Sequence, residues 1–180
     1  MPQYVAFLRA INVTGRFIKM VDLAEHVHTL GHANVSTYIN SGNVLFQSRQ
    51  VSTARLATAI EDGLEPLLGF RSEVFVRSMP QLQAIAARAD ALRGRIGPEG
   101  DINVAFLQRP LTAEDVAAIA TLRNAQDDFE CDGHDLYWIC QSLQSKSKFS
   151  NAVLERKLHT RTTFRRGSML LGLLASLPAA

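Results

Sequence analysis

Near the end of the sequence, Thr162-Thr163-Phe164-Arg165-Arg166-Gly167-Ser168 stands immediately before an apolar run. Hydroxyl residues ahead of such a run cap helices, so the pattern predicts a last helix from about Thr163 to Leu177. Arg165 and Arg166 then fall in or just before its first turn, where the helix dipole disfavours cations by roughly 0.3–1 kcal/mol each. A local rule broken without evident gain points to function. Free helix amides, the hydroxyls of Thr162 and Thr163 and two guanidinium groups together suit a phosphate or carboxylate. Lys146 and Lys148 belong to the same basic stretch: Leu143 to Arg166 holds seven cations against Glu155 alone. The plainer account is an ion-pair surface. Ala113–Asp135 carries seven acids against Arg123, and the arginines could pair with these across a module boundary.

A second polar constellation is Arg9, Asn12, Asn40, Ser41 and Asn43. If the first strand pairs beside the hairpin that carries the last three, these residues meet at the strand ends and offer amides and a guanidinium to a ligand. Asn and Ser also satisfy backbone groups in turns, which is the commoner use.

Other chemistry is weaker. His28 and His32 have the i, i+4 spacing of metal ligands, but Gly31 interrupts the helix between them and neither His26 nor any cysteine or carboxylate cluster completes a site, so no metal is expected. Cys131 and His134 flank Asp-Gly in a hairpin, where the pleat rather than mechanism sets their directions. Ser145-x-x-Lys148 is too short a pattern to carry a nucleophile assignment. No phosphate-binding loop or dinucleotide fingerprint is present, and no cofactor is expected.

The elements that must position these residues follow from periodicity. Tyr4–Arg9 is apolar on both alternating faces, as in a central strand covered on both sides. A loop to Lys19 leads to a helix with Met20, Leu23, Val27 and Leu30 on one face. Ser36–Gln47 reads as a hairpin turning at Ser41-Gly42. A helix from about Ser52 to Leu68 and a strand at Glu73–Arg77 complete β-α-β-β-α-β, the order of a ferredoxin-like unit. Ser78-Met-Pro-Gln81 reads as a capping box opening a third helix, and Gly94–Asp101 as a linker. The theme then recurs: a strand at Ile102–Leu107, a helix capped by Thr112, a hairpin around Asp132-Gly133-His134, and a helix from Ser150 to Leu158. The predicted last helix takes the place of a fourth strand. The expected architecture is α+β, with an N-terminal ferredoxin-like module at 1–93 and a C-terminal α+β module at 101–180.

The 180 residues are 47% hydrophobic with a net charge of +2, the balance of a folded globular protein. No signal-peptide pattern opens the chain, and Met169–Ala180 is too short an apolar stretch to span a bilayer. Cys131 and Cys140 do not face each other across the expected hairpin, so free thiols in a cytoplasmic protein are expected. RNA recognition on a ferredoxin-like sheet needs exposed aromatics; Phe7 and Phe46 sit in apolar surroundings better suited to a core.

Tyr4-Val-Ala-Phe-Leu-Arg-Ala-Ile-Asn-Val-Thr-Gly15 resembles YVALLRGINVGG, and Ser36–Phe46 resembles RTYIQSGNVVF. Both are signatures of a bacterial family, domain of unknown function 1697, whose C-terminal Thr-Thr-Arg-Asn-Trp pattern aligns loosely with Thr162–Ser168. The resemblance implies a two-module α+β fold of ferredoxin-like character and no established activity. Ala10 and Thr14 stand where the family loop has glycines, which puts a Cβ where backbone could otherwise approach a ligand, and Phe164-Arg165-Arg166 replaces Arg-Asn-Trp.

These readings converge on a binding protein without catalysis for an anionic small molecule, of undefined oligomeric state and with no membrane partner. A small-molecule enzyme with its site between the modules is the rival, and a nucleic-acid-binding module using residues 143–166 is the third and less favoured reading.

Overall fold

The computed structural model describes residues 1–178; Ala179 and Ala180, the end of the apolar stretch above, lie outside the described residues. The chain divides into two compact units, Met1–Leu82 and Gln83–Ala180.

The first unit begins with strand β1 (Gln3–Leu8), helix α1 (Met20–Thr29), strands β2 (Ala33–Thr37) and β3 (Asn43–Gln47), helix α2 (Thr53–Leu68) and strand β4 (Val74–Ser78). The sheet order is β2-β3-β1-β4, antiparallel throughout. Tyr4, Ala6 and Leu8 of β1 face Leu23 and Val27 of α1 and Leu56, Ile60 and Leu64 of α2 in one apolar cluster. Burying each large side chain contributes about 1.5–3 kcal/mol. Val5, Phe7, Leu45 and Phe75 on the other face are also buried, which accounts for the unbroken apolar run of β1. The β2–β3 connection is the loop Tyr38–Gly42, longer than the Ser41-Gly42 turn expected. Gly42 supplies the positive φ of +75° foreseen there, and Ile39, three residues earlier in the loop, also turns left-handed at +50°.

Helix α3 (Met79–Leu92) follows β4 without a loop; its first turn belongs to the first unit and the remainder to the second. Ser78 Oγ accepts from Gln81 N–H at 3.4 Å while Gln81 Oε1 accepts from Ser78 N–H at 2.8 Å, the reciprocal cap read from the sequence. The expected linker opens with a short 3-10 turn at Arg93–Arg95.

The second unit continues with β5 (Asp101–Phe106), α4 (Ala113–Ala120), β6 (Asp127–Asp132), β7 (Asp135–Cys140), α5 (Asn151–Leu158), β8 (Thr163–Arg166) and α6 (Gly167–Ala175). Its sheet runs β6-β7-β5-β8, again antiparallel. Thr163–Arg166 is thus a fourth strand rather than the start of the last helix, and the helix begins four residues later than the sequence suggested. Pairing decides this: Thr163 to Arg166 run alongside Phe106 to Asn103, giving the edge of β5 a hydrogen-bonded partner that a helix there could not supply. Phe129, Trp138, Phe149 and Phe164 meet in edge-to-face pairs with centroids 4.7–6.0 Å apart at the centre of this core.

The two units repeat each other at several structural positions. Val5-Ala6-Phe7-Leu8 of β1 recurs as Val104-Ala105-Phe106-Leu107. Arg77 lies opposite Val5 and Arg165 opposite Val104; both are buried, and each donates from Nη1 to the carbonyl of the residue before it. A buried glutamate on the second helix tethers the chain entering the fourth strand in both units. Glu61 Oε1 accepts from Val74 N–H at 2.8 Å, and Glu155 Oε1 from Thr162 N–H at 3.2 Å. Each also pairs with an arginine, Arg71 and Arg161 respectively.

Cys131 and Cys140 are unbridged; Cys131 stands opposite Leu136 and Cys140 opposite Asp127 along the β6–β7 ladder. No helix among the described residues is long and apolar enough to cross a membrane.

Candidate functional site

Because Thr163–Arg166 is a strand, its side chains alternate, and the expected constellation divides between two faces. Phe164 points into the aromatic cluster, while Thr163 and Arg165 lie on the opposite face and are buried. Arg165 Nη1 donates to Thr163 Oγ1 at 2.8 Å, and burial pushes its guanidinium down to about 10. Thr162 is buried too, its hydroxyl donating to Asn151 Oδ1. Arg166 is the exception. It is exposed, and it serves as the N-cap of α6, where no side chain caps the helix.

Around Arg166 lies a cleft of about 590 Å³, lined among others by Arg93, Pro98, Asp101, Gly167 and Ser168. Arg93 comes from the turn closing α3, Asp101 from the start of β5, and Gly167 and Ser168 from the first turn of α6. Close packing explains the glycines. A Cβ on Gly167 would sit 3.1 Å from Ala89 Cβ, and one on Gly100 would sit 2.7 Å from Cys140 O. Arg166 Nε approaches Asp101 at 3.5 Å, and Arg93 Nη1 approaches Asp90 at 3.8 Å. Both contacts are long and solvent-exposed, so they cost little to exchange for a ligand. Two guanidinium groups, the Ser168 hydroxyl and the first turn of α6 therefore border one concavity, with the Asp101 carboxylate beside Arg166 as the acid in its lining.

Lys146 pairs at 3.8 Å with Glu99, and Lys148 is exposed; neither lines the cleft. Three of the seven acids of Ala113–Asp135 are engaged by other arginines: Asp115 by Arg109, Asp128 by Arg95 and Arg123, and Glu130 by Arg88 and Arg95. Arg93 and Ser168 were not foreseen. Arg93 has no sequence feature that separates it from Arg88 and Arg95, whereas Ser168 would have been found from a correct helix start.

In the first unit, Arg9, Asn12, Asn40, Ser41 and Asn43 do gather at the ends of β1 and β3. Asn12 Nδ2 donates to Asn40 O at 2.8 Å and Asn12 Oδ1 accepts from Ile18 N–H at 2.9 Å. Asn43, fully buried, donates to Tyr38 O and Ser41 Oγ, both at 2.9 Å. Arg9 lies 3.6 Å from Glu73. Asn12 and Asn40 also line an open cleft of about 790 Å³ together with Phe17, Ile18, Lys19 and Met20.

The histidines and thiols are used structurally. His26 Nε2 lies 2.6 Å from Gly63 O and His28 Nδ1 lies 3.0 Å from His32 O, while the buried His32 ring rests against Phe46. Burial pushes the Cys131 and Cys140 thiols up, away from the thiolate a nucleophile needs. Ser145 and Lys148 are both exposed.

These features define an α+β protein built from two β-α-β-β-α-β units, each sheet having its first strand between the third and the fourth. The chain belongs to the family described as protein of unknown function DUF1697, whose model matches residues 1–137. A solved structure, that of the conserved bacterial protein SP0830 from Streptococcus pneumoniae, is similar over 94% of this chain and 98% of that one, with a TM-score of 0.72 and 25% identity. No curated protein matches the chain.

Proposed function

We propose that this chain is a binding protein, without catalytic chemistry of its own, for a phosphate- or carboxylate-bearing small molecule held at the Arg93–Arg166 cleft. The observation that carries the reading is the juxtaposition of two exposed guanidinium groups with the uncapped N-terminus of α6 around one concavity. The repeat sharpens it. In the first unit the helix following the fourth strand is closed by its own Ser78–Gln81 cap; in the second, Arg166 occupies the capping position and donates rather than accepts. A cation at a helix N-terminus is unfavourable, Asp101 meets Arg166 only at 3.5 Å, and an anion bound there relieves the penalty.

A small ligand fits better than a nucleic-acid backbone. The basic 143–166 stretch is not one open strip: Lys146, Arg161 and Arg166 have acidic neighbours at 3.8, 3.0 and 3.5 Å, and Arg165 is buried. Raised thiols favour binding over catalysis, and unbridged cysteines favour a cytoplasmic setting.

The test is thermal unfolding in inorganic phosphate or pyrophosphate against chloride at matched ionic strength. Wild-type protein should be stabilised as phosphate rises, by about 2.7 kcal/mol at a hundredfold excess over Kd. Arg166→Ala and Arg93→Ala should each weaken the response by about 10-fold or more, the loss of one charge-assisted hydrogen bond. A double variant that responds like wild type refutes the site.

A further inference from the structure

In the first unit, the loop between β1 and α1 and the β2–β3 loop border the open cleft of about 790 Å³. Hydrogen bonds and a ring contact join its walls to each other and to the rest of the unit. Asn12 ties the two loops together through Asn40 O, its own backbone N–H donates to Arg16 O at 2.8 Å, and the Arg16 guanidinium lies 4.5 Å from the centre of the Phe70 ring. With Asn12 so consumed, the groups left to a ligand are the Phe17 ring, Ile18, Met20, the exposed Asn40 amide and the Lys19 ammonium.

Two features of this surface suit an occupant. Phe17 is 77% exposed, and Val13, Val21 and Ile39 are each about half exposed in the same loops and the helix start they border, more apolar surface than scattered single residues would give. Residues 1–21 contain three cations and no acid. Arg9 faces Glu73 and Arg16 covers Phe70, whereas Lys19 has no carboxylate partner among the described residues. Asp22, in the first turn of α1, is the nearest acid along the chain.

A mostly apolar concavity with one cation and one amide is complementary to a single ligand chemistry. We infer that this cleft binds a small organic anion with a flat apolar body, the ring system lying against Phe17, Ile18 and Met20 and the anionic head meeting Lys19 and Asn40. This site is separate from the Arg93–Arg166 cleft and stands or falls independently of it.

The probe is anilinonaphthalene sulfonate, a flat aromatic anion that fluoresces on entering an apolar site, compared with neutral N-phenylnaphthylamine. Wild-type protein should bind the sulfonate saturably and more tightly than the neutral amine. Phe17→Ala should weaken both probes by about 10-fold, and Lys19→Gln should weaken the sulfonate alone by about 5-fold. Both side chains are exposed, so the fold tolerates the changes, and both variants should keep the wild-type response to phosphate. Arg166→Ala should leave sulfonate binding unchanged. Absence of binding by wild type, equal affinity for the two probes, or variants indistinguishable from wild type would each overturn the assignment.

Discussion

Asp115 offers a quantitative check on how the second unit is held together. It receives both guanidinium nitrogens of Arg109, and its Oδ2 accepts the Thr112 backbone N–H at 2.8 Å. Arg109 Nη2 also reaches Leu158 O at 3.2 Å, so one side chain joins the start of α4 to the end of α5. The Arg109 guanidinium, followed by the Thr112 amide, holds the Asp115 carboxyl at about 2, against an ordinary value of 3.8. That gap corresponds to about 2 kcal/mol favouring the charged, folded form. A carboxyl depressed in the folded state binds protons more readily when unfolded. Its contribution is therefore fully present above about 3.8 and disappears as the pH falls toward about 2. Asp115→Asn removes the charge while preserving shape and a capping oxygen. The variant should lose about 2 kcal/mol near neutral pH, with the difference from wild type shrinking toward zero in acid. Denaturant titrations followed by fluorescence of Trp138, the chain's single tryptophan and a buried residue of this unit, isolate the relevant transition. A wild-type minus variant difference that stays constant from neutral pH into acid would refute the assignment to a titrating ion pair.

The glutamate tethers should separate hydrogen bonding from charge. Glu155→Ala leaves the Thr162 N–H without its acceptor and should cost about 3 kcal/mol, whereas Glu155→Gln keeps an acceptor, gives up a pair with the exposed Arg161 and should cost about 1 kcal/mol or less by Trp138 fluorescence; equal losses would mean the ion pair matters more than the tether. Gly42→Ala should destabilise the first unit by about 2 kcal/mol in thermal or denaturant unfolding, because a Cβ there meets Leu8 Cβ and Ile11 Cβ at 3.1 Å on a backbone at φ +75°. A loss under about 0.5 kcal/mol would show that the loop relaxes around the methyl group.

Seven of the eight strands were legible because their apolar patterns are bounded by turn residues that the backbone uses as such: Gly42 and Gly133 both adopt positive φ. The eighth strand was not. Thr163–Arg166 has only four residues, presents two arginines, and enters α6 without an intervening loop, so hydroxyl residues before an apolar run read as a helix cap. What settles its state is a vacant edge on β5, and tertiary pairing of that kind leaves no local trace. The error moved the site as well as the element. Shifting the helix start by four residues sends Arg165 into the interior and brings Arg166 and Ser168 to the cleft. Arg93 was beyond reach for a different reason: its place at the cleft depends on the closing turn of α3 lying near the start of β5.

The repeat shows where the two halves have parted. Each unit keeps the Val-Ala-Phe-Leu strand, the buried arginine opposite its valine and the glutamate that receives the chain before the fourth strand. These are the parts that fold the unit, since they close the sheet and satisfy backbone groups that burial would otherwise strand. The junction between the fourth strand and the next helix is where they differ. Ser78 and Gln81 use their side-chain oxygens to satisfy each other's backbone N–H groups, so the first turn is already capped. Arg166 and Ser168 present a cation and a hydroxyl at the equivalent place, on either side of a Gly167 that close packing requires. A capping box is the cheaper way to end a strand and begin a helix, and the second unit lacks it. Grafting the cap through Arg166→Ser with Met169→Gln should therefore stabilise the second unit by about 1 kcal/mol and abolish its response to phosphate. Stabilisation with the phosphate response intact would separate the helix terminus from binding altogether.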